Sequence, residues 1–320
     1  MKQLTIFTPT YNRAYSLLRL YNSMLKQDTS CFKWLIVDDG STDNTRDLVS
    51  EWIKENKIEI RYIYQKNAGK MQAHNVGVLE CDTELFLCCD SDDWMVEYSI
   101  KPALEYWNSY QKKLFGMASP RIIHQKELSG MVSPRYHQQK ELSGRGAINV
   151  TKCPIDLHSV FSKDLKTCTL EGLYEKGYHG ETALIFRTEV IRMYPFPKIE
   201  GEKFITEDYI YCQLDEKYEL LVYPKYCMYC EYQNDGYTKN IAKIAEKNPK
   251  GYALYANEKV KHAKSKWEIL YRSYDYFLFS RKGKVPFMKI ISKASFPMAT
   301  LVSIPLFSTV RKLKAIFGIN

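Results

Sequence analysis

The stretch Leu85-Phe-Leu-Cys-Cys-Asp90-Ser-Asp92-Asp93-Trp94 decides how we interpret the fold of this chain. Its first five residues are apolar or small, a pattern typical of a strand that is buried on both faces. The strand leads directly into three carboxylates, which repel one another and need a compensating cation. Mg²⁺ and Mn²⁺ are hard cations that prefer oxygen ligands, often carboxylates together with phosphate oxygens. Taken alone, the stretch fits equally well a metal that bridges the protein to a diphosphate and a solvated acidic turn that caps the next helix.

Strand and helix patterns alternate along the part of the chain that precedes this stretch. Such alternation is typical of a parallel α/β sheet whose strands are joined by right-handed crossovers. The predicted strands lie at 4–7, 34–37 and 58–64, and apolar residues at helical spacing follow each of them, at 17–25, 48–53 and 69–79. We therefore expect 85–89 to be the fourth strand of one sheet.

Polar clusters follow three of these strands, at Thr8–Arg13, Asp38–Asp43 and Asp90–Asp93. The carboxyl ends of parallel strands are where α/β sheets bind ligands. Three clusters on one edge therefore favour the metal–diphosphate site over a merely acidic turn. Neither G-x-G-x-x-G after the first strand nor G-x-x-x-x-G-K-S/T is present, so side chains and a metal would have to hold the phosphates.

Five segments, in this order, resemble the successive motifs of the family 2 glycosyltransferases. They are Thr8–Arg13 (TPTYNR), Val37–Asp43 (VDDGSTD), Asn67–Gly77 (NAGK through NVG), Asp90–Asp93 (DSDD) and Gly201–Asp208 (GEKFITED). The first four segments cover the first hundred residues closely. The resemblance implies a GT-A-type fold, which is a Rossmann-like mixed, mainly parallel sheet flanked by helices. It also implies transfer of a sugar from a nucleotide-diphospho-sugar to an acceptor hydroxyl.

The same resemblance implies a set of ligand-binding residues. Asp39, or else Asp38, would accept hydrogen bonds from the base or ribose, and Mn²⁺ or Mg²⁺ would be the cofactor. Two positions keep an alternative: Lys70 as a solvated lysine at a helix start, and Tyr11 as a packing residue. The implied nucleotide-sugar set is Thr8, Pro9, Tyr11, Arg13, Asp38, Asp39, Lys70, Asn75 and Asp90, and the implied metal set is Asp90, Asp92 and, more weakly, Asp93.

The last motif ends in an acidic pair, Glu207 and Asp208, just before an apolar helix pattern. An acidic pair at a helix start complements the helix dipole whatever its function. In the family, an acidic residue at this place acts as general base. The resemblance therefore implies that Asp208, with Glu207 as second choice, takes the proton from the acceptor hydroxyl. A base that faces the leaving group across the sugar ring implies inversion at the anomeric carbon.

We expect residues 1–240 to form the glycosyltransferase domain, with a nucleotide-sugar-binding half at 1–110 and an acceptor and catalytic-base half at 111–240. Two nearly identical segments, 119–130 and 133–144, lie in the second half. Two copies are too few for a solenoid, so a tandem duplication within a loop explains them best, with a hairpin flap over the acceptor as the alternative. Further strands are predicted at 114–118, 180–187 and, as the last one, 220–223.

Residues 241–320 are expected to form a helical, basic C-terminal region. Within it, residues 294–310 carry no formal charge, but they are fewer than the ~20 residues of a membrane span, and Pro297 and Pro305 interrupt them. Lysines and arginines flank this segment on both sides. The pattern suits a segment in the interface of an anionic membrane, with a pair of core-packing helices as the alternative.

The composition sets wider limits. The 320 residues are 45% apolar, enough for a large core, and their net charge of +9 suits an anionic surface without proving one. Nine cysteines without framework spacing favour reduced thiols inside a cell. A strand pattern that begins next to Met1 gives no sign of a signal peptide. We expect a cytoplasmic protein, alternatively one held on the inner face of the cell membrane.

Together these features predict a metal-dependent, inverting glycosyltransferase that moves a sugar from a UDP-sugar to a glycan or lipid-linked acceptor in cell-envelope polysaccharide or lipopolysaccharide synthesis. Nucleic acid is not an expected partner. One alternative is a sugar-phosphate nucleotidyltransferase, which would require a glycine-rich phosphate-binding loop after the first strand. The other is a non-catalytic glycan-binding protein on the membrane, against which the intact acidic motifs count.

Overall fold

The computed structural model describes residues 2–110, 114–123, 161–162, 164–233 and 236–317, without side-chain detail at 238 and 310–317. The described residues form two compact units. The first contains those up to 123, those from 161 to 196, and 214–233. The second contains 197–213 and 236–317. Residues 197–213 thus group with the C-terminal helices, and the boundary after residue 240 stays a prediction.

The first unit is built on four parallel strands in the order β3-β2-β1-β4. In register, Thr10 on β1 lies opposite Asp38 on β2, and Phe7 lies opposite Cys88 on β4. The carboxyl ends of these three strands therefore meet on one edge. The elements are β1 (Leu4–Thr10), α1 (Ala14–Met24), β2 (Phe32–Asp38), α2 (Thr45–Glu55), β3 (Ile60–Tyr64), α3 (Lys70–Glu80) and β4 (Leu85–Cys88).

The rest of the sheet continues from β4 in mixed directions. Strand β8 lies antiparallel between β4 and β6, while β9 and β10 both run parallel to β6. The elements are β5 (Trp94–Met95), α4 (Ile100–Asn108), β6 (Gly116–Ile123), β7 (Thr167–Cys168), α5 (Leu170–Glu175), β8 (Thr182–Arg187), α6 (Thr188–Ile191), β9 (Leu220–Val222) and β10 (Met228–Cys230). The predicted mixed, mainly parallel sheet flanked by helices is confirmed.

Aromatic side chains cover both faces of the parallel strands. On one face, Tyr21 of α1 stacks on Trp52 of α2 at 4.3 Å between ring centroids, and both stack on Trp34 of β2. On the other face, Phe7 and Phe86 stack at 5.2 Å. Burial on both faces explains why these strands are almost continuously apolar in sequence.

The second unit is helical. Its core joins Tyr252 of α9 to Phe279 of α10, whose ring centroids lie 4.3 Å apart, and includes the fully buried Ile290 of α11. The elements are α7 (Asp208–Asp215), whose first six residues belong to this unit, α8 (Tyr237–Lys247), α9 (Pro249–Lys261), α10 (Lys266–Lys282), α11 (Phe287–Lys293) and α12 (Pro297–Phe317). The predicted helical C-terminal region is confirmed.

Three element predictions are wrong in detail. The strand predicted at 114–118 runs on to Ile123, so the first copy of the near-repeat begins in a strand; the remainder of that copy and the whole second copy lie outside the described residues. Strand β9 is not the last, because β10 follows it. Pro305 does not interrupt the C-terminal segment but lies inside α12, where Pro297 is the first residue. Among the helices of the described ranges, none is both long and apolar enough to cross a bilayer.

Candidate nucleotide-sugar site

The loops after β1 and β2 are tied to each other. Asn12 has a left-handed backbone (φ 53°), and its side-chain oxygen accepts a hydrogen bond of 2.7 Å from the backbone N–H of Thr42. In return, the Asn12 N–H donates to the Ser41 hydroxyl at 2.8 Å, and Asp43 accepts from the Ala14 N–H at 3.1 Å. These crossed hydrogen bonds hold two of the predicted motifs as one rigid edge.

Asp38 supports this edge from inside the protein. It is completely buried, and one carboxylate oxygen accepts the Ser41 N–H at 2.7 Å while the other accepts the Tyr62 hydroxyl at 2.5 Å. Burial, followed by this carboxylate, raises the pKa of Tyr62. The arrangement suits a structural role better than contact with a base or ribose.

Asp39 links the end of β2 to the start of α3. Its carboxylate accepts the N–H groups of Ala68 and Gly69, each at 2.8 Å, and the side-chain amide of Gln65 at 2.7 Å. Gly69 needs its positive φ of 94° to make this turn. A carboxylate has about four acceptor positions, so about one remains for a ligand.

Lys70, on the first turn of α3, pairs with Asp90 at the end of β4. The ammonium lies 2.7 Å from the Asp90 carboxylate, and both side chains are partly exposed. Burial disfavours the charged form of Asp90, but Lys70 outweighs it and holds the pKa of Asp90 below its usual value. Two motifs that are 20 residues apart therefore share one charged pair.

Asp92 has a different environment from its neighbours. Burial first, and then the charge of Asp90, raise the pKa of its carboxyl group. Within the described ranges, no lysine or arginine pairs with this carboxylate at ion-pair distance. The carboxylates of Asp90 and Asp92 repel each other, and both offer oxygen atoms, which are the ligands that a hard divalent cation prefers. Asp90 and Asp92 could thus hold Mn²⁺ or Mg²⁺.

Asp93, the third predicted metal ligand, is held elsewhere. Its side chain is 6% exposed, and one carboxylate oxygen lies 2.9 Å from a guanidinium nitrogen of Arg121 on β6. Burial raises the pKa of this carboxyl group well above its ordinary value, while Arg121 opposes that shift. The structure therefore gives Asp93 a structural partner that the spacing of the motif did not indicate.

Arg19 of α1 also holds the acidic loop. Its guanidinium donates to the backbone oxygen of Asp92 at 2.7 Å, lies 3.8 Å from the ring centroid of Trp94, and pairs with Glu231 at 2.8 Å. Our sequence analysis missed Arg19 and Arg121 as site-forming residues. No local pattern could have found them, because their partners lie between 28 and 212 residues away.

The remaining predicted donor residues have mixed surroundings. Tyr11 is 48% exposed at the end of β1, where its ring can meet a ligand. Thr8 is completely buried, and its hydroxyl accepts the indole N–H of Trp34, so its side chain faces the core. Asn75 uses its amide on the backbone of Phe196, donating to the carbonyl at 2.8 Å and accepting the N–H at 2.9 Å. Pro9 is buried within β1, and Arg13 contacts the Tyr15 hydroxyl.

The predicted catalytic pair belongs to the second unit. Asp208 is the first residue of α7, and both Asp208 and Glu207 are half-buried. Burial, and next the carboxylate of Asp208, raise the pKa of Tyr255 to about 12. Glu202 of the same motif caps α9. Its carboxylate accepts hydrogen bonds from the backbone N–H groups of Lys250 and Gly251, at 3.0 and 2.8 Å.

Comparison with known proteins identifies the family. Residues 5–161 match the model of glycosyl transferase family 2, a range that includes every site residue of the first unit up to Arg121. These residues form a family 2 glycosyltransferase domain. The motifs that suggested the family in the sequence therefore lie, apart from Gly201–Asp208, inside the matched domain.

Relatives of the domain occur in larger proteins. The teichoic acid poly(glycerol phosphate) polymerase of Staphylococcus epidermidis is 36% identical over 110 residues, which are 34% of this chain and 15% of that protein. The poly(ribitol-phosphate) β-N-acetylglucosaminyltransferase TarS of Staphylococcus aureus is 29% identical over 33% of this chain and 19% of that protein. The chain thus matches less than a fifth of the length of either relative.

Solved structures show the fold. S. aureus TarS 1–349 in complex with UDP-GlcNAc has a TM-score of 0.55 at 20% identity and covers 88% of this chain and 72% of that one. A mannosyltransferase of Pyrobaculum calidifontis in complex with GDP-Man and Mn²⁺ has a TM-score of 0.51 at 15% identity, over 98% of this chain and 81% of that one. The predicted GT-A-type fold is confirmed.

Proposed function

We propose that the chain is a metal-dependent, inverting glycosyltransferase that moves a sugar from a nucleotide-diphospho-sugar, a UDP-sugar in the first instance, to a hydroxyl of a glycan or lipid-linked acceptor. The supporting observation is the meeting of Asp39, Lys70, Asp90 and Asp92 on one edge of a family 2 domain. Relatives named for teichoic acid and poly(ribitol phosphate) favour a cell-envelope polymer as the acceptor class. The reaction would take place on the cytoplasmic side of the cell membrane.

The donor would be held by side chains at this edge. The exposed ring of Tyr11 offers a stacking surface for the base, and the unused acceptor capacity of Asp39 suits an N–H of the base. Lys70 carries the positive charge that a diphosphate needs, next to the acidic loop. Thr8, Asp38 and Asn75 are not part of the proposed contact set, because the Thr8 hydroxyl and the Asn75 amide bind groups inside the protein and Asp38 is completely buried.

Asp92 and Asp90 would hold Mn²⁺ or Mg²⁺. When bound, the cation would stabilise the charge that develops on the departing nucleoside diphosphate. Asp93 would not take part, because its carboxylate is paired with Arg121 below the surface. Arg19 would instead fix the loop through the backbone oxygen of Asp92, and Arg121 would fix it through the Asp93 carboxylate, which keeps the Asp90 and Asp92 oxygens available to the ion.

Asp208 is the proposed general base. Its carboxylate would accept the proton of the acceptor hydroxyl as that oxygen forms the new bond to the anomeric carbon and the bond to the diphosphate breaks. We expect Asp208→Asn to bind donor normally and to lose transfer by about 10²–10⁴-fold. Glu207→Gln, at the neighbouring position, is the matched control and should retain most activity. Equal turnover in Asp208→Asn and the unaltered protein would remove Asp208 from this role.

The donor site can be tested without knowing the acceptor. Calorimetry with a panel of UDP- and GDP-sugars, with and without Mn²⁺, should show metal-dependent binding that Asp92→Asn abolishes. Asp82→Asn is the control, since Asp82 is an exposed carboxylate of the same unit that pairs with Lys33. If no nucleotide-sugar binds in the presence of Mn²⁺, the proposal fails. Release of a nucleoside diphosphate from a nucleotide-sugar during turnover would support sugar transfer. Release of pyrophosphate from a nucleoside triphosphate that is supplied together with a sugar phosphate would instead indicate nucleotidyl transfer.

A further inference from the structure

The last 45 residues carry almost all of the net charge of the chain. Residues 276–320 contain eight lysines and arginines and no aspartate or glutamate, whereas the whole chain has a net charge of +9. Residues 1–275 therefore account for only +1, since 46 − 8 = 38 basic residues face 37 acidic ones. The basic residues are Arg281, Lys282, Lys284, Lys289, Lys293, Arg311, Lys312 and Lys314.

Helix α12 is apolar on its exposed side. Met298 is 71% exposed and Val302 is 51% exposed, and these two residues lie four positions apart, which places them on one face of the helix. Leu301 and Leu306 are also exposed, at 38% and 37%. A helix on the surface of a water-soluble protein normally has the opposite pattern, with its polar residues facing solvent.

The buried side of the same helix is largely polar. Thr300 and Ser303 are 1% and 0% exposed, and Phe307 completes this face by packing on Trp267 and Tyr274 of α10, with 5.3 Å between ring centroids in each pair. The two hydroxyls donate to nearby carbonyl oxygens, that of Thr300 to Phe296 just before the helix and that of Ser303 to Thr300, so they need no other partner. Small hydroxyl residues on the buried side and large apolar residues outside make α12 an inverted amphipathic helix.

The preceding helix continues this surface with basic residues beside apolar ones. On α11, Met288 is 75% exposed and Phe287 is 43% exposed, next to the exposed Lys289. Lys284 just before α11 and Lys293 at its end are exposed as well. Exposed apolar side chains interleaved with lysines match the two layers of an anionic bilayer surface, which are charged headgroups and the acyl chains beneath them.

We propose that α11 and the exposed face of α12 form a membrane-docking surface that lies in the plane of an anionic lipid bilayer. Met288, Met298 and Val302 enter the acyl boundary, and the lysines contact anionic headgroups. A bilayer fits better than a soluble partner because a segment with eight positive charges and no negative ones matches a continuous anionic surface. The inference goes beyond the proposed transfer reaction and does not depend on the assignment of any catalytic residue.

The test is co-sedimentation of the full chain with vesicles, without donor or acceptor. We expect binding to vesicles of phosphatidylcholine with 30% phosphatidylglycerol that weakens as salt rises, and little binding to pure phosphatidylcholine. Met298→Glu/Val302→Glu should reduce the partition coefficient at least tenfold. Leu79→Glu, at a position of α3 that is 71% exposed like Met298, should have no effect. Lys289→Gln/Lys293→Gln should reduce binding on the order of fivefold per charge, and Lys54→Gln/Lys57→Gln should not.

A second measurement covers the case in which the glutamate variant folds poorly. Val302→Trp should show a blue-shifted emission with these vesicles and quenching by brominated lipid, whereas Leu79→Trp should show neither. Unchanged vesicle binding by a folded Met298→Glu/Val302→Glu protein would overturn the proposal, as would absence of quenching in Val302→Trp. If the unaltered chain is dimeric without lipid and the glutamate variant is monomeric, the face is covered by a second copy and the bilayer proposal is wrong. Failure here leaves nucleotide-sugar binding, and hence the proposed function, unaffected.

Discussion

The buried pair of Asp93 and Arg121 permits a sharp prediction about the acidic loop. The two groups lie 2.9 Å apart, and their side chains are 6% and 16% exposed. Among the described residues, Arg121 is the one cation within ion-pair distance of this carboxylate. Arg121→Met keeps most of the side-chain volume but leaves the buried carboxyl group of Asp93 without its cation. Removing one partner of such a pair costs about 3–5 kcal/mol, and we expect a loss of unfolding free energy in this range.

Equilibrium urea unfolding, followed by tryptophan fluorescence, is the appropriate assay. Trp34, Trp52, Trp94 and Trp107 all belong to the first unit, so the emission reports mainly on the unit that contains the pair. The double variant Arg121→Met/Asp93→Asn should be more stable than the sum of the single losses predicts, by about 2 kcal/mol or more, because it leaves no charge unpaired.

A matched control is the exposed pair of Lys33 and Asp82, whose charged atoms are 2.7 Å apart and whose side chains are 30% and 64% exposed. Lys33→Met should cost less than about 1 kcal/mol. If Arg121→Met costs no more than Lys33→Met, or if the losses at Asp93 and Arg121 are strictly additive, then the pair does not fix the loop and our account of Asp93 is wrong.

Three further predictions concern α3. Gly77→Ala should destabilise the protein by about 1–3 kcal/mol in urea unfolding, although alanine favours helices, because the new methyl carbon would lie 2.4 Å from the ring of Phe7; a gain in stability would refute this. Burial, and after it Lys70, lowers the pKa of His74 from 6.5 to about 3. The stability that depends on neutral His74 should therefore be complete above pH 6.5, and the unfolding free energy should fall by at most about 5 kcal/mol as the pH drops to 3. If His74→Phe shows the same dependence of unfolding free energy on pH, this prediction is wrong. Asn75→Ala should lower the unfolding free energy by about 1–3 kcal/mol, because it leaves two backbone groups of Phe196 unpaired; an unchanged urea midpoint would show that these hydrogen bonds contribute nothing.

The sequence was sufficient to predict the parallel half of the sheet, because its helices are long enough to show a period and most of its strands are continuous apolar runs. Trp94–Met95, Thr167–Cys168 and Met228–Cys230 have two or three residues each, which is too short for any period, and only pairing with neighbouring strands makes them strands. The site divides in the same way. The resemblance led to Asp39, Lys70, Asp90 and Asp92 through local motifs. It ranked Asp39 before Asp38 and gave Asp93 a weaker place than Asp92, and these rankings stay predictions. It could not show that Tyr62 and Arg121 bind the carboxylates of Asp38 and Asp93, because both partners lie on other strands.

The spacing of Asp90, Asp92 and Asp93 presents three equal carboxylates, but the fold makes them unequal. The strand end leaves Asp90 near the surface, where Lys70 neutralises it, and the turn buries Asp93 against Arg121. Asp92 remains between them, with Arg19 on its backbone oxygen and not on its carboxylate. In the proposed metal site, Asp92 would offer a carboxylate that no lysine or arginine of the described ranges pairs with, and the cation would share Asp90 with Lys70. The proposed ion would thus add to the charge compensation that Lys70 and Arg121 give to two of three adjacent carboxylates, at the position where the diphosphate is expected to bind.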